Sequence, residues 1–449
     1  MQSVSPISDF LVAVAGRGRS ILGISADKDG MSSAESMVEL CKQLLSSKGN
    51  ASGLALAHEI LSSYQNLDDG QKTDFFLSLR SEFSSDLEKV RTAATTFLKD
   101  GNANSLAGLT ASVEPPRRQL ISRLNQAPNA TLQLIQMRED LLDRLRSKPE
   151  LREIDTDFSV VFSSWFNGGF LELHSLDWSS PADMLENIMK YEAVHGMAGW
   201  DDLRDRIAPP DRLIYSFFHP RLGNEPLIFI EVALMPAMPA KIGDILSPDG
   251  EPTSPSDART AVFYSISNCQ KGLRGIPLGS FLIKQVVEEL KSTYPKLKEF
   301  VTLSPVPGFA KWLDSWVDGA NEESFGGDPE MLQSLKSKDW VGVESKESEL
   351  TEMVSALAAG YLLREKDPRG RPTNSVAKFH LGNGASLDRI NWPADMSKNG
   401  MGSSLGLMVN YKYNLDQIEQ NHEDFVQTGE VHVSTNVAKV EKMFDRYVG

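Results

Sequence analysis

The chain has 449 residues, 41% hydrophobic and 24% charged, a profile that excludes disordered and collagen-like proteins and leads one to expect two or three domains. Its 46 basic and 61 acidic side chains leave a net charge of -15, which argues against a general nucleic-acid or anionic-membrane surface. A polyanionic substrate would therefore need positive potential supplied locally.

Residues 1–10 carry no basic side chain, and the apolar stretch 11–15 is too short for a signal core. Residues 35–45, 58–64, 71–83 and 86–98 place apolar side chains at three- and four-residue intervals and are expected to be helices. Asn129 and Thr131 offer start signals for a longer helix, along which Leu134, Met137, Leu141 and Leu145 form one stripe. This part holds no strand alternation and no candidate chemistry. Residues 1–154 therefore read as an all-α domain, a helical bundle for packing or oligomerisation.

The texture changes near Asp155. Phe158, Val161, Phe162 and Trp165 close a helical turn, and Gly168-Gly169 interrupts it. Ser180-Pro181 starts a helix, residues 213–218 and 227–234 read as strands, and residues 243–259 read as an exposed loop. A strand follows at 261–267, then a helix at 281–290 with Leu282, Ile283, Val286, Val287 and Leu290 on its inner face, then a strand at 299–303. Residues 318–349 read as a polar insertion before a helix at 351–366. Residues 155–449 thus predict an α+β domain, and the whole chain a multi-domain protein.

Cys41 and Cys269 cannot build a disulfide framework or a zinc site by themselves and fit a reducing compartment. No histidine pair stands at i, i+4 around a carboxylate, so no metal is expected. No stretch approaches the ~18 apolar residues that span a bilayer, and Arg446-Tyr447-Val448-Gly449 is not a peroxisomal ending. A cytoplasmic location is the expectation.

Between the strand at 261–267 and the helix at 281–290 runs Gln270-Lys271-Gly272-Leu273-Arg274-Gly275-Ile276-Pro277-Leu278-Gly279-Ser280. Glycines let backbone N–H groups approach a ligand, and a helix start presents unpaired N–H groups and a positive dipole end to an anion. The segment resembles the acyl-CoA pyrophosphate loop of the GNAT acetyltransferase superfamily, whose pattern is Arg/Gln-x-x-Gly-x-Gly/Ala. Arg274 and Gly279 fit, while Pro277 replaces the first glycine and removes one donor. Lys271, Arg274 and Lys284 are the local cations that could offset the acidic chain.

Longer blocks follow in order: Trp165-Phe166, Tyr191-Glu192-Ala193-Val194-His195, Phe263-Tyr264-Ser265-Ile266-Ser267, Leu303-Ser304-Pro305-Val306-Pro307-Gly308-Phe309, Val376-Ala377-Lys378-Phe379-His380-Leu381-Gly382-Asn383-Gly384-Ala385, Arg389-Ile390-Asn391-Trp392, and Gly406-Leu407-Met408-Val409-Asn410-Tyr411-Lys412-Tyr413. Together they resemble the malonyl-CoA decarboxylase family. The resemblance implies a helical domain used in oligomer assembly, as a dimer or tetramer, and a catalytic domain with an acetyltransferase-like mixed sheet flanked by helices. It implies malonyl-CoA as substrate and acetyl-CoA as product. It puts Ser304 and His380 at the catalytic positions and Arg274, Gly275, Ile276, Pro277, Leu278, Gly279 and Ser280 in the substrate-binding segment. Tyr413 matches a tyrosine near the site.

Losing carbon dioxide from a malonyl thioester leaves an enolate on the thioester oxygen. The thioester is its own electron sink, so no cofactor is expected either. The chemistry needs donors to that oxygen, an oriented carboxylate and a proton source. Ser304 could hold a substrate oxygen. His380, as a residue that ordinarily titrates near neutral pH, could donate the proton. Asn268 and Asn391, with Tyr413, could add polar support, and His195 reads as structural. Two other functions stay open on the residues: N-acyl transfer from an acyl-CoA, and non-catalytic sensing of malonyl-CoA.

Overall fold

The computed structural model describes residues 33–46, 49–247, 250–276, 278–319 and 325–448. They form two compact units, the first comprising the described residues up to Leu171 with residues 219–223 and 270–276, the second the remaining described residues.

The first unit is helical: α1 (Ser33–Ser46), α2 (Asn50–Gln65), α3 (Asp69–Glu82), α4 (Leu87–Asp100), α5 (Ala103–Val113), α6 (Pro116–Leu124), α7 (Ala130–Arg144) and α8 (Arg152–Trp165). Local chemistry sets the ends. Asp68 and Gln71 form a reciprocal capping box on α3, Asn102 and Ser105 do the same on α5, and Gly101 closes α4 in the left-handed conformation. Leu56, Ile60, Phe75, Phe76, Leu134, Leu141, Phe158 and Phe162 are buried in its core. The texture change near Asp155 falls within α8. Two helices, α5 and α6, go unread in the sequence: α5 exposes most of its length and α6 spans only nine residues.

The second unit is built on one mixed sheet: β1 (Glu172–Leu176), β2 (Arg212–Phe218), β3 (Ile228–Met235), β4 (Thr260–Asn268), β5 (Glu299–Thr302), β6 (Ser304–Pro305), β7 (Ser386–Asn391) and β8 (Met408–Lys412). Strands β1 to β4 run antiparallel in sequence order, and β5 pairs parallel to β4. β8 pairs antiparallel with β5, β6 and β7. The β4–β5 ladder covers Thr260 to Phe263 and then stops, although β4 continues to Asn268. A register shift in the β3–β4 pairing falls in the same stretch.

Helix α9 (Ala182–Tyr191) and α10 (Trp200–Ile207) pack Leu185, Ile188 and Leu203 against Ile214, Phe218 and Phe229 of the sheet. The β4–β5 crossover is α11 (Gly279–Thr293), which buries Leu282, Ile283, Val286, Val287 and Leu290, the face expected from their spacing. The rest comprises α12 (Phe309–Gly319), α13 (Pro329–Ser337), α14 (Glu344–Leu363), α15 (Ser375–Gly382), α16 (Lys398–Ser404), α17 (Ile418–Thr428) and α18 (Thr435–Val448).

Two loop expectations need correction. Residues 318–349 are not merely a polar excursion, since α13 buries Leu332 and Leu335, and Trp340 is wholly buried against Trp392. Within 243–259, a helical turn at Gly243–Leu246 buries Ile245, and Ala258 is also inside. In both cases scattered apolar anchors, too sparse to make a period, dock a polar segment.

Candidate active site

Side chains alternate along a strand, so Thr302 and Ser304, two residues apart, face the same side. Leu303 and Val301 face the other, in an apolar cluster with Val262, Tyr264 and Met408. The loop after Ser304 is held by the Val306 N–H, which donates to Ser404 Oγ at 3.1 Å, and the Gly308 N–H, which donates to the Ser403 carbonyl at 3.0 Å.

Helix α15 carries His380 to Ser304. Asn374 caps it, accepting from the Ala377 N–H at 2.9 Å, while its amide donates to the Pro307 carbonyl at 2.9 Å. One residue thus starts the histidine's helix and ties it to the serine's loop. At the other end Gly384 has φ +82°, and a Cβ there would lie 2.0 Å from the Ile418 carbonyl oxygen. Asn421 donates to the Gly384 carbonyl at 3.1 Å, and His422 Nδ1 lies 2.6 Å from the Gly382 carbonyl oxygen.

His380 Nε2 lies 3.2 Å from Ser304 Oγ, and its Nδ1 lies 2.8 Å from Tyr413 Oη. Ser304 Oγ donates to Thr302 Oγ1 at 2.9 Å. The imidazole stacks on Tyr411, with centroids 4.7 Å apart and planes inclined at 23°. Ser304 is 7% exposed and His380 3%. Burial with no anionic partner pushes the His380 pKa down to about 3. The expectation of a ring that titrates near neutrality is therefore corrected: desolvation holds it neutral. Burial also pushes the Tyr413 phenol upward, so it stays protonated.

The other expected residues lie in different places. Asn391 is buried and reaches the pair indirectly: its amide donates to Asn410 Oδ1 at 2.8 Å, and Asn410 donates to the Thr302 carbonyl at 2.7 Å. Asn268 is exposed at the end of β4. His195 follows α9, and its Nε2 is buried without a hydrogen-bond partner. It lines a cavity of about 700 Å³ together with Val194, Ile242, Leu246, Ala394 and Asp395, and that lining includes neither Ser304 nor His380.

In the glycine segment, Arg274 is exposed after the 3-10 turn Lys271–Leu273, Gly275 has φ +80°, and Ile276 is buried. Pro277 lies outside the described residues; Leu278 is buried, and Gly279 and Ser280 open α11. Within the first unit, Arg138 donates to the Gly272 carbonyl at 2.7 Å. Lys271 pairs with Glu139 at 3.4 Å, and Lys284 pairs with Glu419, so two of the three local cations already have acidic partners.

Thr302, Asn374, Asn410 and Tyr411 complete the constellation and were not singled out from sequence. Only Thr302 had a signal, its two-residue spacing from Ser304.

The second unit is thus a mixed sheet flanked by helices that brings a buried serine–histidine pair together from β6 and α15, an arrangement suited to an enzyme. Family models match in two consecutive parts: the malonyl-CoA decarboxylase N-terminal domain over residues 83–166 and the malonyl-CoA decarboxylase C-terminal domain over residues 169–446. The crystal structure of malonyl-CoA decarboxylase from Rhodopseudomonas palustris is 48% identical, covers 91% of this chain and 100% of its own, and superposes with a TM-score of 0.85. That from Agrobacterium vitis is 45% identical, with coverages of 90% and 99% and the same TM-score of 0.85. The mitochondrial malonyl-CoA decarboxylase of Mus musculus is 36% identical over 361 residues, 75% of this chain and 73% of that protein. The chain belongs to the malonyl-CoA decarboxylase family.

Proposed function

We infer that the protein converts malonyl-CoA to acetyl-CoA and carbon dioxide, a step of malonate and fatty-acid metabolism, and does so at Ser304 and His380. The observation that carries the site reading is the buried hydrogen-bonded series Tyr413–His380–Ser304, with Ser304 in β6. The thioester is the electron sink, and the carbon that loses the carboxylate takes up one proton. His380 is neutral before substrate arrives. An anionic malonyl group bound beside it favours the protonated ring, so binding brings in the proton that the reaction consumes. Ser304 orients the malonyl group and His380 delivers the proton.

Release of labelled carbon dioxide from malonyl-CoA by purified protein tests the reaction, with an amine acceptor included so that acyl transfer would be detected. His380→Asn should lower kcat by about two to four orders of magnitude, the range for losing a general acid, with little change in KM. Ser304→Ala should cost on the order of 2 to 4 kcal/mol. The double variant should fall short of the summed losses, because both groups act on one reacting centre. A folded His380→Asn protein with near-normal kcat rules out the proton-donor role.

The substrate's pyrophosphate is assigned to the backbone donors between Arg274 and Ser280. Support comes from the left-handed Gly275 and from the dipole at the start of α11. Gly279→Val should raise KM in a protein that still folds; an unchanged KM removes the assignment. Two further parts of the reading are a cytoplasmic location, supported by the two buried free thiols, and a homo-oligomer formed through the helical unit. Cell fractionation tests the first and the mass in solution the second.

A further inference from the structure

We propose that Thr302 is a positioning residue: it sets the direction of the Ser304 hydroxyl and, through it, which nitrogen of His380 carries the proton at rest. The inference rests on Ser304 and His380 being the site.

The pairing of β8 with its neighbour is interrupted at Thr302. Val301 pairs with Lys412 in β5, and Ser304 with Val409 in β6. Both pairs have residue numbers summing to 713, so β5 and β6 keep one register along β8. The pair Thr302–Tyr411 belongs to that register and is skipped. Two of its backbone groups are instead taken up by side chains. The Tyr411 N–H donates to Thr302 Oγ1 at 3.1 Å, and the Thr302 carbonyl accepts from Asn410 Nδ2 at 2.7 Å. Asn410 cannot turn its amide over without loss, because its Oδ1 accepts from Asn391 Nδ2 at 2.8 Å and from Arg389 Nε at 3.0 Å. Thr302 and Asn410 are fully buried, so an unpaired group here would cost the full desolvation penalty. Thr302 Oγ1 is thereby held in place by an element other than its own.

Fixed in this way, Oγ1 accepts the Ser304 proton. A hydroxyl has one proton and two lone pairs, so Ser304 then faces His380 with a lone pair. Nε2 must carry hydrogen to fill that contact, and Nδ1, bare, accepts from the Tyr413 hydroxyl. Without Thr302 Oγ1, the Ser304 proton turns to Nε2, and the ring takes the opposite tautomer, with Nδ1–H donating to Tyr413.

Thr302→Val keeps the shape and removes the acceptor. Expected are a kcat about 10- to 100-fold lower, the scale of a misoriented reacting group, an unchanged KM, and recovery to near wild type in Thr302→Ser. In a Ser304→Ala background Thr302→Val should cost nothing more. In protein with 15N-labelled histidine, NMR should show His380 as the Nε2–H form in the wild type and the Nδ1–H form in Thr302→Val. The proposal is overturned by wild-type kcat in Thr302→Val, by the same fold-loss in the Ser304→Ala background, or by an Nδ1–H ring in the wild-type protein. The last measurement decides the matter even if Thr302→Val does not fold. If Ser304→Ala alone keeps full activity, the site reading itself fails and the proposal with it. If Ser304→Ala is impaired while Thr302→Val is not, the proposal alone fails.

Discussion

At the scale of single residues, burial governs His380. Its folded pKa of about 3 lies below the ordinary histidine value of about 6.5. Between those values the unfolded chain binds a proton that the folded chain refuses, so this site weakens the fold as pH falls through that window. The effect amounts to about 2 kcal/mol at pH 5 relative to pH 7. Urea unfolding at both pH values should therefore show a larger acid loss in the wild type than in His380→Asn, since the other titrating groups are common to both. Equal losses would mean that the ring is charged or solvated in the folded protein. Ser304 and His380 were picked out in the sequence through the blocks that resemble the family, whereas their 3.2 Å contact, between residues 76 positions apart, was not legible there. The low pKa was equally illegible. Both depend on which side chains close around the ring, and Tyr411, which stacks on it, carries no mark of that role in the local sequence.

At the scale of elements, helices with a clear apolar stripe were legible, and those without one were not. α11 buries one face and was read to within a few residues, while α5 buries no residue and was missed. β7 alternates weakly as Ser-Leu-Asp-Arg-Ile-Asn, and its strand character comes from pairing with β8. The reason for the second glycine of Gly382-Asn383-Gly384, at the end of α15, was not legible in the sequence. That reason predicts a selective lesion. Gly384→Ala would put a methyl group 2.0 Å from the Ile418 carbonyl in a left-handed conformation, so the turn must move. A loss of about 2 kcal/mol or more of stability is expected. kcat should fall further than KM changes, because the displaced Gly384 lies four residues from His380. Thermal unfolding and steady-state kinetics check this, and an Ala variant with wild-type values for both would show that the turn tolerates the methyl group.

At the scale of the whole molecule, one pair of helices finds no core to bury against among the described residues. Among the described residues, neither α4 nor α5 has a buried side chain. Leu87 is 73% exposed, Leu98 83%, Leu106 49% and Val113 52%. Helices of this length are marginal in water unless an apolar face is packed, because nucleation costs more than a few turns of hydrogen bonds return. Both are nevertheless well specified: Asp86 accepts from the N–H groups of Glu88 and Lys89, Asn102 and Ser105 cap each other, Gly101 makes the turn between the helices, and Ser85 Oγ donates to the Val113 carbonyl at the hairpin's base. If the proposed homo-oligomer forms through the helical unit, this hairpin is a surface at which a second copy would bring an identical apolar face. The net charge of -15 opposes association in general, so such a contact would have to be local and apolar. Replacing Leu98 and Leu106 with Glu would then put like charges on both sides of that contact. On that proposal, light scattering after size exclusion should give the wild type a mass above that of a single chain of 49.6 kDa and the variant a mass near it. In the separated chain, thermal stability should change little apart from what assembly contributed, since neither leucine packs in its own unit. An unchanged mass would exclude the hairpin from the interface, and a collapse of the fold would show that these leucines serve the chain itself.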